Sequence, residues 1–251
     1  MHIPRLVWHS VLLTAQILLG VLIIFFGYRF LPLSWRHAVT RWWSRDTVTV
    51  SNARIVVRGA PPLEAQGCML LFNHISWLDI PVINSIVPTR FVAKAELRRW
   101  PLVGRLCAAS DTLFIERGRR HAVHQVMHLL KEAMQAGARV GIFPEGTTSA
   151  GDMLLPFHAN LMQAALEAGV PVIPVALRYF DRHGQVTRTP AYFGEMNIFQ
   201  SLVQVLSAEK MVVEITFLAP IIVTAETTRH EVAQHAHAAI SASLGFVPQH
   251  S

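Results

Sequence analysis

Acidic residues are nearly missing from the front of this chain. In the first sixty residues Asp46 stands alone against Arg5, Arg29, Arg36, Arg41, Arg45, Arg54 and Arg58, so that segment carries the whole formal net charge of +6. Charge is sparse throughout, at 15% Asp, Glu, Lys and Arg beside 52% hydrophobic residues, a balance too apolar for an ordinary water-soluble domain. Cysteine is rarer still. Cys68 and Cys107, in apolar surroundings and without metal-ligand spacing, exclude a disulfide scaffold and imply a reducing compartment. There is no G-x-S-x-G, which removes the serine-hydrolase elbow, and neither cysteine has a neighbouring base to make it a nucleophile. No repeat, low-complexity tract or interdomain linker divides the 251 residues, a length that suits one large core with an appendage.

One long apolar run is present. Leu6 to Tyr28 carries no formal charge, with Gly20 and Gly27 as its weak points. It is long enough to span a bilayer or to lie obliquely in one leaflet, and too long for a signal peptide. Arg29, Arg36, Arg41 and Arg45 follow it against Arg5 alone before it, so a spanning segment would leave the body in the cytoplasm, on the inner membrane of a bacterial cell. Beyond Pro32, Trp35, Ala38, Val39, Trp42 and Trp43 recur at helical spacing, as in an interfacial helix with its rings at headgroup level. An amphipathic helix packed on the core would show the same stripe. The arginines beside apolar and tryptophan-rich segments favour membrane lipids over nucleic acid as the partner. Residues 1–46 are therefore expected to form a helical membrane anchor and residues 47–251 the body.

The body reads as strands alternating with helices. Strand signals fall at Val48–Val50, Arg54–Val57, Cys68–Phe72, Arg90–Ala93, Thr112–Ile115, Arg139–Phe143, Val170–Leu177 and Met211–Leu218, and helical patterns at Asp79–Ile86, Gly118–Ala136, Ala159–Ala168 and Thr227–Leu244. This predicts an α/β fold: one mixed, largely parallel sheet flanked by helices.

The strand Leu70-Leu71-Phe72 stops at Asn73-His74, with Asp79 five residues beyond His74. On a continuous helix five residues turn about 140°, so the two side chains meet only if the chain turns between them. Pro81 favours a helix that starts near Asp79, with the proline in its first turn. His74 and Asp79 then form a general base with its orienter, without a serine. Ser76 and Asp79 can equally be read as an S-x-x-D capping box with His74 a loop residue.

Other polar residues also follow apolar strands. Arg117, ahead of Gly118, can present its guanidinium fork to a phosphate. Glu145-Gly146-Thr147-Thr148-Ser149 closes another strand, where Gly146 permits a tight turn and Glu145 can grip a substrate hydroxyl or brace an arginine. Lys94 adds charge at a third strand end. In an open α/β sheet ligands gather beyond the carboxyl ends of the strands, which groups His74, Lys94, Arg117 and Glu145 into one site. His121, His124 and His128 share a helix face opposite Val123, Val126, Met127, Leu130 and Met134, a solvent face with no acid or cysteine to complete a metal set. His230, His235 and His237 read the same way, so no metal is expected.

Together these residues resemble the glycerophospholipid acyltransferases typified by lysophosphatidic acid acyltransferase. Asn73-His74 with Asp79 is similar to the N-H-x-x-x-x-D block, Phe114-Ile-Glu-Arg117 to the second block, Phe143-Pro-Glu-Gly-Thr147 to the third and Val170-Pro-Val-Ile-Pro174 to the fourth. The resemblance implies that His74 is general base toward the hydroxyl of a lysophospholipid, that Asp79 orients it, and that the hydroxyl attacks an acyl-CoA or acyl-carrier protein thioester directly, with no other cofactor. It places Asn73, Lys94, Arg117, Glu145, Gly146 and Thr147 at the acceptor, lysophosphatidate, giving phosphatidate. The sequence departs from the family at Asp111, where glycine is usual, at Glu116 for Asp, at Thr148 for an arginine, and at His158 and Asn160 for a lysine and a glycine. Two possible phosphate partners are thereby lost, which makes a lyso-aminolipid such as lyso-ornithine lipid the alternative acceptor. A non-catalytic membrane-binding module is the alternative of another class.

Overall fold

A computed structural model describes residues 3–64, 67–115 and 120–246, with the side chains of residues 120–124 left aside. Two helices lead, α1 (Ile3–Phe26) and α2 (Leu33–Val50), followed by β1 (Ala53–Arg58), β2 (Cys68–Phe72), α3 (Asp79–Asn84), β3 (Arg90–Lys94), α4 (Val103–Ala109) and β4 (Leu113–Ile115). The second half runs α5 (Arg120–Gln135), β5 (Arg139–Ile142), α6 (Gln163–Ala168), β6 (Val172–Phe180), α7 (Ile198–Ser207), β7 (Met211–Phe217) and α8 (Arg229–Ser243). The strands form one sheet in the order β1-β7-β6-β2-β5-β3-β4. All pairs are parallel except β6 with β7, so β1 and β7 run against the other five and the sheet is mixed and mostly parallel, as expected.

Strand alternation splits the core between the two faces. Leu70 and Phe72 of β2 meet Val175 and Leu177 of β6 on one face, under Val48 of α2, Val82 and Ile83 of α3 and Val205 of α7. Met69 and Leu71 point the other way, toward Leu130 of α5, Ala164 and Ala165 of α6 and Val232 of α8. Both faces being covered explains why β2 reads as a continuous apolar run rather than an alternating one.

The front of the chain corrects one expectation. Val48–Val50, read as a strand, is the last turn of α2, which runs through residue 46. β-Branched residues favour strands, but Val48 is fully buried against the core and Ser51 bonds back to the Thr47 carbonyl at 2.9 Å, so packing overrides propensity. The chain then leaves through Asn52, at φ 56°. α2 also combines both readings of its tryptophans. Trp35 and Trp42 are exposed, while the Trp43 indole donates to the Gln16 carbonyl (2.9 Å) and the Gln16 amide donates to the Trp43 carbonyl (3.1 Å). A Cβ at Gly20 would lie 2.7 Å from the Trp43 indole nitrogen, so glycine is what lets α1 lie this close to α2.

α1 is thus packed along its length on one side and bare on the other. Val7, Trp8, Val11, Leu18, Leu22, Phe25 and Phe26 are exposed at helical spacing. α4 and α7, which no sequence pattern had marked, lie beside it.

Candidate active site

The exit of β2 is braced from both neighbouring strands. On the β6 side, the Asn73 side chain donates to the Leu177 carbonyl (2.9 Å) and accepts from the Leu177 N–H (2.7 Å), continuing the ladder one rung past the strand. On the β5 side, the register Leu71 to Ile142 carried three residues onward sets His74 beside Glu145. There the His74 N–H donates to Glu145 Oε1 at 2.7 Å, and the Ser149 N–H donates to the His74 carbonyl at 2.8 Å. The backbone of His74 is therefore fixed on both its polar groups.

Its side chain is fixed as well. The chain turns at Trp77 and Leu78, α3 starts at Asp79 with Pro81 in its first turn, and His74 Nδ1 lies 2.8 Å from Asp79 Oδ2. The same Oδ2 accepts from the N–H groups of Ile75 (2.8 Å) and Ser76 (2.9 Å), and Oδ1 accepts from the Tyr179 hydroxyl (2.7 Å). The carboxylate half of a capping box is present, since Asp79 reaches back to Ser76, but that carboxylate also holds the imidazole, so the two readings of the motif merge. Asp79 is completely buried with four donors around it, which is what a buried carboxylate needs. Burial first, then the neighbouring Asp79, pushes the Tyr179 phenol well above its usual pKa and keeps it a donor.

The imidazole stacks on Phe143, the first residue of the Phe-Pro-Glu-Gly-Thr block, with centroids 3.9 Å apart and planes 18° apart; Phe143 in turn stacks on Phe91. With Nδ1–H donated to Asp79, the Nε2 lone pair is the basic edge. Among the described residues no serine or cysteine side chain is bonded to this ring. Ser76 Oγ accepts from Leu78 N–H, and Ser149 Oγ donates to the His74 carbonyl.

The remaining expected residues divide. Asn73 is buried with its amide bonded to β6, so it braces the strand exit. Glu145 is 4% exposed, its second oxygen accepts from Leu155 N–H (2.9 Å), and it holds the His74 backbone and its own loop together. Burial outweighs those hydrogen bonds and raises its pKa to about 7. Gly146 takes φ 70°, the left-handed turn expected of it, and Thr147 is exposed beside it. Lys94 is exposed at the end of β3, two strands from β2. Arg117 lies outside the described residues. Thr148, in the place of the family arginine, gives its hydroxyl to the Tyr192 carbonyl. Tyr179 was missed: it sits eight residues into a strand that reads as core, and only contact with Asp79 separates it from a packing residue.

Fold and site define an α/β enzyme with a histidine–aspartate pair at the carboxyl edge of its sheet. Residues 54–178 match the model of the family described as Acyltransferase. Over 209 residues the chain is 37% identical to a lyso-ornithine lipid O-acyltransferase of Pseudomonas aeruginosa, covering 83% of this chain and 79% of that one. It is 34% identical over 174 residues to a 1-acyl-sn-glycerol-3-phosphate acyltransferase of Neisseria meningitidis, 69% of this chain and 68% of the other. The crystal structure of the 1-acyl-sn-glycerophosphate acyltransferase PlsC from Thermotoga maritima superposes with a TM-score of 0.75 at 20% identity, over 96% of this chain and 93% of that one, and shares the fold. The chain belongs to the acyltransferase family, as the four blocks implied.

Proposed function

We propose that this chain is a membrane-bound O-acyltransferase that moves a fatty acyl group from acyl-CoA or acyl-carrier protein to the free hydroxyl of a lysolipid. The observation that carries the reading is the His74 ring, held by a buried carboxylate through Nδ1 and bonded to no nucleophile among the described residues. Nε2 accepts the proton of the lysolipid hydroxyl while that oxygen attacks the thioester carbonyl. As the tetrahedral centre collapses, the C–S bond breaks and the imidazolium returns the proton to the departing thiolate. Asp79 stays ionised throughout and stabilises the imidazolium.

The bare apolar face of α1, rimmed by Trp8 at one end and by Phe25 and Phe26 at the other, suits the lipid of one leaflet. A helix bonded along its other side to α2 is poorly placed to cross the bilayer alone.

For the acceptor we favour a lyso-aminolipid of the lyso-ornithine type. Thr148, where the resembling family carries an arginine, gives its hydroxyl to the Tyr192 carbonyl, and the Pseudomonas relative, matched over 79% of its length, acts on such a lipid by name. Lysophosphatidate is the second reading, supported by the intact Phe143–Thr147 block and the Neisseria relative. Incubating the purified enzyme with both lysolipids and a labelled acyl thioester, followed by lipid mass spectrometry, separates them. Transfer to either acceptor is expected to fall by about 10²-fold or more in His74→Ala. An unchanged rate removes the assigned base, and no transfer by the wild type to any lysolipid leaves the non-catalytic module.

A further inference from the structure

The opposite end of the sheet holds a second polar cleft. Arg90 opens β3 and Arg139 opens β5, both at the amino ends of strands whose carboxyl ends face the active site. The first turns of α2 bring Arg36 and His37 over them, and with Asp111, just before β4, they line a cleft of about 100 Å³. The length of β5, roughly 10 Å at 3.3 Å per residue, keeps it apart from His74.

Its charge is unbalanced. Three arginines face one acid, since Asp111 Oδ2 takes Arg36 at 3.0 Å and Arg90 at 3.4 Å, while Arg139 is turned to the carbonyls of Pro62 and Leu63. Arg36 Nε is buried and has no acceptor, and its guanidinium lies over the Tyr28 ring, 5.1 Å from the centroid. Burial first, and then Arg139, Arg41, Arg36 and Arg90, lowers the pKa of His37. Asp111 itself stands at φ 54°, a left-handed conformation that side chains rarely adopt. The rim on the α1–α2 side includes Tyr28 and Leu33, and the adjoining turn exposes Phe25, Phe26, Phe30 and Trp35.

We infer that the cleft between α2 and the amino ends of β3 and β5 binds a phosphate-class anion, and that its source is the headgroup of an anionic bilayer lipid whose chains lie against the apolar α1–α2 turn. Asp111 is the internal occupant that such a headgroup competes with. The phosphate takes the place of Asp111 Oδ2 at Arg36 Nη2 and Arg90 Nη2, two charge-assisted bonds of the kind that guanidinium groups make. The assignment of the source rests on the membrane reading above; the anion chemistry does not.

The full chain in neutral detergent is given equal amounts of phosphatidylglycerol and phosphatidylcholine, and bound lipid is counted by native mass spectrometry. Wild type is expected to retain the anionic lipid selectively. Arg36→Gln, or Arg90→Gln should the first fail to fold, lowers that selectivity about tenfold or more. Arg41→Gln removes the same charge from the exposed side of α2 and changes it less than about fivefold. Asp111→Gly raises retention, because the internal competitor is gone. Equal losses at Arg36 and Arg41, or lower retention in Asp111→Gly, reduce the cleft to ordinary ion pairing and overturn the proposal. Full displacement of the lipid by excess inorganic phosphate overturns the lipid source. Attachment to phosphatidylcholine vesicles tests the membrane reading separately, since it needs no anionic headgroup.

Discussion

The two ends of the sheet handle charge in opposite ways. At the carboxyl end Asp79 and Glu145 are removed from water, and each of their four oxygens accepts from a backbone N–H or from Tyr179. At the amino end Arg36, Arg90 and Asp111 pair with one another while remaining a quarter to two-fifths exposed. Desolvated groups held by a rigid backbone define one geometry, as general-base chemistry requires. Half-exposed ion pairs are weak and exchangeable, which suits an interaction with a diffusing lipid surface. If this contrast is right, substitutions at the first end cost stability in amounts set by orphaned partners, and substitutions at the second cost little.

Asp79→Ala is the strongest test. It orphans two backbone N–H groups, the Tyr179 hydroxyl and the His74 ring at once, in a fully buried place. A loss of about 3–5 kcal/mol in denaturant unfolding is expected, with transfer activity abolished. A variant that folds with near wild-type stability would mean that the turn before α3 is held by packing alone.

Glu145 gives a pH signature of the same end. Its folded pKa of about 7 lies above the ordinary 4.5. Below about pH 4.5 both states hold the proton and the group contributes no difference. Between about 4.5 and 7 the unfolded chain releases the proton while the folded chain keeps it, so stability falls as pH rises, by up to about 3 kcal/mol once pH exceeds 7. Unfolding midpoints of wild type and Glu145→Gln measured across that window should diverge, the variant losing the slope. Parallel curves would show the carboxylate to be charged in the folded protein.

Tyr179→Phe takes away one donor to the buried carboxylate and nothing else. A loss of about 1.5–3 kcal/mol is expected, with the His74–Asp79 bond and most activity kept. A fall in activity as deep as that of Asp79→Ala would instead place the phenol in the chemistry.

How much of this was readable beforehand follows the range of the interactions. The turn that joins His74 to Asp79 spans five residues and was set by local rules: an apolar strand, a polar exit, and Pro81 placed where a helix can start. Tyr179 and Leu155 reach the same site from 100 and 10 residues away, through strand order and a loop path that no spacing encodes. Glu145 was found but its bond to the His74 N–H was not, because that pairing depends on β2 and β5 being neighbours in register, although they are separated by β3 and β4 in the chain. Val48–Val50 failed for a related reason: its β-branched pattern was overruled by contacts with α3 and the core. Asp111 was noticed as a departure from glycine, yet its two arginine partners lie 75 and 21 residues away.

That residue supplies the smallest and most discriminating effect. Replacing Asp111 by Gly relieves a left-handed backbone, a gain of about 1 kcal/mol, and removes two partly exposed ion pairs worth about 0–1 kcal/mol each. The terms oppose, so the unfolding midpoint should move by less than about 1 kcal/mol in either direction. High salt should narrow the difference further, since exposed pairs are screened while backbone strain is not. A loss of several kcal/mol that salt does not touch would mean that this carboxylate is as deeply committed as Asp79, and the amino end would then be a second rigid centre rather than an exchangeable one.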